Sequence, residues 1–334
     1  MSARLCAALA LVAIVLAACQ PSREEESRDK LKDLYMGNAQ IYYESGHYRS
    51  ALVQVTKVLE LDPENQKARF VRAMSHLRIG GPESAQIALS ELELLVKEDF
   101  DVRQFRVWLG LGMARAAVGD LYDARFRLLE QRLAAEPSAG PEIIPQREKA
   151  RKERDRLWRA SNEACREVLS YEDIPVARND PIALYHIYRN HSLLGEHERA
   201  LEYQKRHLAV IEGSREQWEK SIEEYPAGRE IYETKLKGTR KNEIAVREAM
   251  ALTLYRLGRH EEAIDHLSRS ILLGPGRAEP YLNRAQVFRK LGRHAEAVLD
   301  LKKFIKHTEL TPDDEDAQKA VELLRDSEQK MLRD

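Results

Sequence analysis

A short pattern returns along the chain. It reads GHYRSAL at Gly46, GEHERAL at Gly195, GRHEEAI at Gly258 and GRHAEAV at Gly292, with looser copies GGPESAQ at Gly80 and GDLYDAR at Gly119. Gly46 to Gly80 and Gly258 to Gly292 are both intervals of 34 residues. A fixed period of this length marks an array of small supersecondary units, each unable to bury its apolar face alone. Apolar residues recur at helical spacing on both sides of each glycine: Tyr35, Ala39 and Tyr42 before Gly46, then Ala51, Val55 and Val58 after it. Each copy therefore reads as two antiparallel helices joined at the glycine, with Ala39 and Ala51 small where the backbones cross. Leu61-Asp62-Pro63 closes the first copy, because proline disfavours helical geometry in the residue before it.

The spacing and residue types resemble the tetratricopeptide repeat. The third copy carries Trp108, Leu111 and Gly112, then Gly119, Ala124 and Leu128. The fifth carries Ala251, Leu254, Gly258, Ala263, Leu267 and Pro275, and the sixth Tyr281, Ala285, Phe288, Gly292, Ala297 and Leu301. The fourth departs, with Tyr188 where a small residue is expected and Gln204 where a large apolar one is. The resemblance implies an all-α tetratricopeptide-type solenoid of antiparallel helix pairs, with inserted helices and a C-terminal capping helix.

Spacing between copies divides the chain further. Gly119 and Gly195 lie 76 residues apart, and Gly195 and Gly258 lie 63 apart, both well beyond one period. Three repeats are expected over 31–136 and a long charged helix over 137–180, beginning after the breaker run PSAGPEIIP. A fourth repeat follows over 181–212, inserted helices over 213–243 and a C-terminal pair over 244–311. Within 213–243, Ser214-x-x-Gln217 reads as a capping box opening a helix that Pro226 ends. Thr311-Pro312-Asp313-Asp314 reads as the start of the capping helix, 312–334, with Ala317, Ala320, Val321 and Leu324 inward.

The N-terminus carries a different signal. Arg4 precedes an apolar run from Leu5 to Ala18 that stops at Cys19. That run is too short for a membrane span, which needs about 20 apolar residues, and has the layout of a signal peptide, 1–18. Leu16-Ala17-Ala18-Cys19 resembles the bacterial lipobox, which implies lipidation of Cys19, and residues 19–30 form the lipidated start and a polar tether. With Cys6 leaving in the signal and Cys19 carrying lipid, Cys165 has no internal partner and reads as a small buried residue on a helix. The resemblance places the protein in the bacterial envelope, anchored to the outer membrane and facing the periplasm.

Charge is balanced, 54 Lys and Arg against 55 Asp and Glu, which leaves no basic excess for nucleic acid. No zinc-binding, phosphate-loop or nucleophile-elbow motif occurs, and Gly110-Leu111-Gly112 lies in a helix with no third glycine of a dinucleotide fingerprint. His197, His260 and His294 sit two residues after the turn glycine, where the first copy has Tyr48, and read as packing positions rather than metal ligands. Arg147 to Arg159 reads as a solvated helix, with Glu148 four residues before Lys152 and Asp155 four before Arg159. No catalytic residue, metal or cofactor is expected, apart from the covalent lipid.

In tetratricopeptide proteins the first helix of each pair lines a groove that takes peptides or partner helices. That resemblance places Met36, Tyr43, Phe70, Met74, Leu77, Leu109 and Met113 on an N-terminal wall, and Tyr255, Arg256, Arg289 and Lys290 on a basic C-terminal wall suited to an acidic segment. The expected role is a scaffold or adaptor for envelope proteins or peptides, similar in outline to the pilotin, BamD and NlpI families of lipoproteins without matching any one of them. Two other readings stand beside it: an enzyme with a pocket around Cys165, His186 or His191, and a lipoprotein that binds peptidoglycan or envelope polysaccharide.

Overall fold

The structure, a computed structural model, describes residues 23–98, 104–308 and 315–332. Among these every regular element is a helix. In chain order they are α1 (Arg23–Glu44), α2 (Tyr48–Leu61), α3 (Gln66–Ile79), α4 (Pro82–Lys97), α5 (Gln104–Ala135), α6 (Gly140–Leu169), the short α7 (Pro175–Arg178), α8 (Pro181–Leu193), α9 (His197–Glu224), α10 (Arg229–Arg256), α11 (His260–Leu273), α12 (Glu279–Lys290), α13 (His294–His307) and α14 (Glu315–Met331). The signal peptide, Cys19 and Thr311 to Asp314 lie outside the described residues. No described helix is long and apolar enough to cross a membrane.

Four turns share one construction. Gly46, Gly195, Gly258 and Gly292 hold φ at 79°, 78°, 75° and 76°, which costs a residue with a side chain but not glycine. The next residue then donates its N–H to the carbonyl five positions back: His47 to Tyr42 at 2.8 Å, Glu196 to His191 at 2.8 Å, Arg259 to Leu254 at 2.9 Å and Arg293 to Phe288 at 2.9 Å. This is a Schellman closure, and it satisfies carbonyls that the helix end leaves unpaired. The residue two beyond the glycine packs back on the first helix, the Tyr48 ring 5.5 Å from Tyr43 and the His260 ring 5.2 Å from Tyr255.

Two of the links between repeats use side-chain caps instead. Asn65 Oδ1 accepts from Ala68 N at 3.0 Å to open α3, and Asp180 Oδ1 accepts from Ile182 N and Ala183 N at 2.9 and 2.8 Å to open α8. The chain divides between Arg154 and Asp155 into two compact units. In the first, Ala39, Val55, Val58 and Ala68 form a fully buried cluster edged by Tyr35 and Met36. In the second, Leu201, Met250, Leu254, Leu267, Phe288 and Leu301 anchor a larger core, against which Leu323 and Leu324 of α14 pack.

Several expectations are corrected. Arg23 to Asp29 are already helical, so the segment before residue 30 is not all tether. Gly119 makes no turn: α5 runs through it for 32 residues, and Leu128 is exposed. The chain reverses at the 3-10 turn Pro137–Ala139 instead, and Pro141 and Pro145 of the supposed breaker run lie within α6. Ser214 opens no helix, because α9 continues past it and its hydroxyl donates to Val210 O at 2.9 Å. Pro226 does end that helix, so the excess length between Gly195 and Gly258 is taken up by lengthening α9 and α10. Tyr42 and Val321 are exposed, the inward positions of α14 being Ala320, Leu323, Leu324 and Ser327. Glu148 pairs with Arg147 and Arg151, and Arg154 reaches Asp123 on α5 at 3.0 Å, so the charged run is partly held by tertiary contacts.

Candidate partner-binding cleft

The N-terminal wall is spent largely on internal packing. Met36, Tyr43, Phe70, Met74, Leu77, Leu109 and Met113 are all half-buried. Met36 edges the first core cluster. A methyl group on Gly110 would come within 3.0 Å of Met74 Sδ and 3.1 Å of Leu92 Cδ2, so Gly110 is a place where a glycine lets helices touch.

The C-terminal wall opens into a cleft of 310 Å³. Its floor is Ala251, Leu267 and Val287, each nearly inaccessible, and Leu252 stands over it with 52% of its surface exposed. Tyr255, Asn283, Gln286 and Glu248 supply the polar groups. Burial pushes the Glu248 carboxyl up from its usual range, although Ser270 Oγ donates to it at 3.0 Å and Arg277 Nη2 lies 3.5 Å away. The cleft therefore offers an apolar seat edged by amides and one carboxyl, α10 and α12 holding opposite sides.

Of the expected basic wall, only Tyr255 lines this cleft. Arg289 donates to Asp326 on α14 at 2.5 Å, which neutralises it, and Arg256 and Lys290 are exposed outside the lining. Leu252 and Gln286 were missed although both lie six residues before a turn glycine; reading every copy at that offset finds them. The other expected residues sit two or three positions before the turn glycine, outside the lining of the cleft.

The candidate nucleophile is out of reach. Cys165 is completely buried, and burial, reinforced by Asp180, pushes its thiol up to about 12, so it stays protonated. His186 is pushed down to about 4 by burial and Arg189, which keeps its ring neutral. Burial also lowers His191, whose Nδ1 lies 2.6 Å from Glu196 Oε2 while its ring stacks on Tyr203 at 5.9 Å. Beside it Asn190 Nδ2 donates to Ser161 Oγ at 3.0 Å and to Asn162 Oδ1 at 2.9 Å. These groups are tied into packing. Among the described residues no three His, Cys, Asp or Glu side chains gather as a metal site.

Comparison with known proteins agrees with this architecture. The tetratricopeptide repeat family model matches residues 36–91 and 248–315. The chain thus carries tetratricopeptide repeats over those two stretches, and its described residues have an all-α fold. Between the matched stretches lie the lengthened helices α5, α6 and α9 and the first half of α10. No curated protein matches the sequence. Among solved structures, PilF of Pseudomonas aeruginosa is 15% identical with a TM-score of 0.48, over 88% of this chain and 97% of that one. The assembly chaperone of RpL4, Acl4, is 16% identical with a TM-score of 0.49, over 80% and 87%. The TPR2AB domain of yeast Sti1 in its Hsp90 complex is 15% identical with a TM-score of 0.32, over 90% and 99%.

Proposed function

We propose that the protein is a lipid-anchored adaptor of the bacterial envelope that docks partner proteins or peptides in the cleft between α10 and α12. Tetratricopeptide repeats commonly mediate protein–protein interaction. The observation that carries the reading is the exposed Leu252 above the buried Leu267 and Val287: an apolar seat on the repeat's first helices, of a size for one large side chain. Leu16-Ala17-Ala18-Cys19 supports the anchor, with acyl chains on Cys19, no other cofactor, and the repeats facing the periplasm from the outer membrane. Held there, the adaptor would bring partners together during assembly of an envelope machine.

Two measurements test this. Full-length protein with a photo-crosslinker at Leu252 is expected to capture a small, reproducible set of envelope proteins, and capture that survives a Leu267→Arg change would sink the cleft. Radiolabelled palmitate is expected on the wild type and absent from Cys19→Ser; equal labelling of both removes the anchor.

A further inference from the structure

The cleft does not stand alone on α10. One turn before Glu248, a second hollow of 860 Å³ opens between α9, α10 and the link from α11 to α12. Its floor is apolar: Ile222, Leu236, Ile244 and Leu273. Its rim is basic, with Lys237, Arg240, Lys241 and Arg277 against Glu233.

These cations are not equally occupied. Arg240 lies 3.4 Å from Glu219, and Arg277 lies 3.5 Å from Glu248 and 3.6 Å from Glu279. Lys237 and Lys241 are exposed and form no ion pair among the described residues. They sit four residues apart on one helix face, where like charges repel. Between them in sequence Gly238 carries no side chain, and nothing lies within 4 Å of where a methyl group would sit. An anion laid there would relieve the repulsion.

The Arg277–Glu248 pair stands where the two hollows meet, Arg277 lining the basic one and Glu248 the apolar one. We propose that one peptide segment spans both, with a large apolar side chain over Leu252 and Val287 and Asp or Glu residues across Lys237 and Lys241. From Leu252 to Lys241 is 11 residues of α10. At about 1.5 Å per residue that is roughly 16 Å. An extended peptide covers it in about five residues at roughly 3.3 Å each. The partner motif is thus an apolar anchor about five residues from an acidic run. An anionic membrane fits less well, because exposed Glu233 lies on the basic rim and would face the lipid, and a flat surface does not reach the apolar floor.

This inference rests on the adaptor reading and is tested apart from it. Fluorescence anisotropy would compare two labelled synthetic peptides on the full-length protein in detergent: one with a Leu-Leu anchor five residues from Asp-Glu-Asp-Glu, the other with those acids changed to Gln. The acidic peptide is expected to bind about 10-fold more tightly. K237E/K241E, checked for helicity and melting, is expected to erase that preference without changing affinity for the Gln peptide, while L252R weakens both. Equal affinity of the two peptides, or a preference that survives K237E/K241E, overturns the inference; crosslinking at Leu252 that persists in that case leaves the adaptor reading standing. Co-sedimentation with vesicles one-third phosphatidylglycerol, lost in K237E/K241E while the peptides show no charge preference, overturns it in favour of lipid.

Discussion

Gln204 Nε2 donates to Thr253 Oγ1 at 3.0 Å in the core between α9 and α10, while Gln204 Oε1 is buried there without a partner. The Thr253 hydroxyl also donates to Ala249 O at 3.0 Å, so it loses little if the glutamine goes. Gln204→Leu restores the large apolar residue that the other copies carry and removes a buried, unsatisfied acceptor. It is expected to be neutral or to stabilise by about 1 kcal/mol, whereas Gln204→Ala opens a cavity and costs about 2 kcal/mol. Urea midpoints of the two variants decide the point, and a Leu variant less stable than the Ala one overturns it.

Two glycines separate turn from helix. Gly258 holds φ at 75° in a Schellman turn, and Gly213 lies in α9 with nothing within 4 Å of where a methyl group would sit. Gly258→Ala is expected to cost about 1 kcal/mol and Gly213→Ala to gain about 1 kcal/mol. Thermal melts should therefore move in opposite directions.

His207 gives the fold an acid-sensitive element. Burial pushes its imidazole down to about 4 from 6.5, and its ring lies 5.8 Å from Tyr188. The unfolded chain takes up the proton first as pH falls through 6.5, so stability contributed by neutral His207 is present above that value and lost progressively towards 4. Between pH 6.5 and 5 the loss is about 2 kcal/mol, by linkage. His207→Gln should flatten that part of the profile in denaturant titrations at the two pH values; an unchanged slope would show that burial of this ring is not the cause.

The C-terminal cap is equally open to test. Ala320 is almost wholly buried against Tyr281 and Phe304. Ala320→Asp sets a carboxyl into that contact and is expected to cost about 3 kcal/mol, whereas Val321→Asp, on the exposed side of the same helix, changes stability by less than about 0.5 kcal/mol. Equal effects would mean that α14 does not cap the last pair.

The sequence was most readable where local chemistry and repeat position agreed. Gly46, Gly195, Gly258 and Gly292 are each followed two residues on by Tyr or His, and all four close Schellman turns. Gly119 is followed by Asp-Leu and is absorbed into α5, since a glycine alone does not end a helix whose flanks keep apolar periodicity. Ser214 failed for a related reason: a capping serine needs a chain break before it, and inside α9 its hydroxyl turns back to Val210 O. The cleft was found only in part, because Arg289 looked free along the sequence while Asp326, its partner, lies 37 residues later. Pairings of that range depend on how α14 docks, which no local pattern records.

The unbroken run of α10 has a mechanical side. Its 28 residues, about 42 Å long, join the turn at Pro226–Gly228 to Tyr255 with no proline, no positive-φ glycine and no change of helix type between. Such a rod conveys tilt and rotation rather than bending. Whatever leans on its outer end therefore reorients Lys237, Lys241 and Leu252 together, as teeth on one shaft.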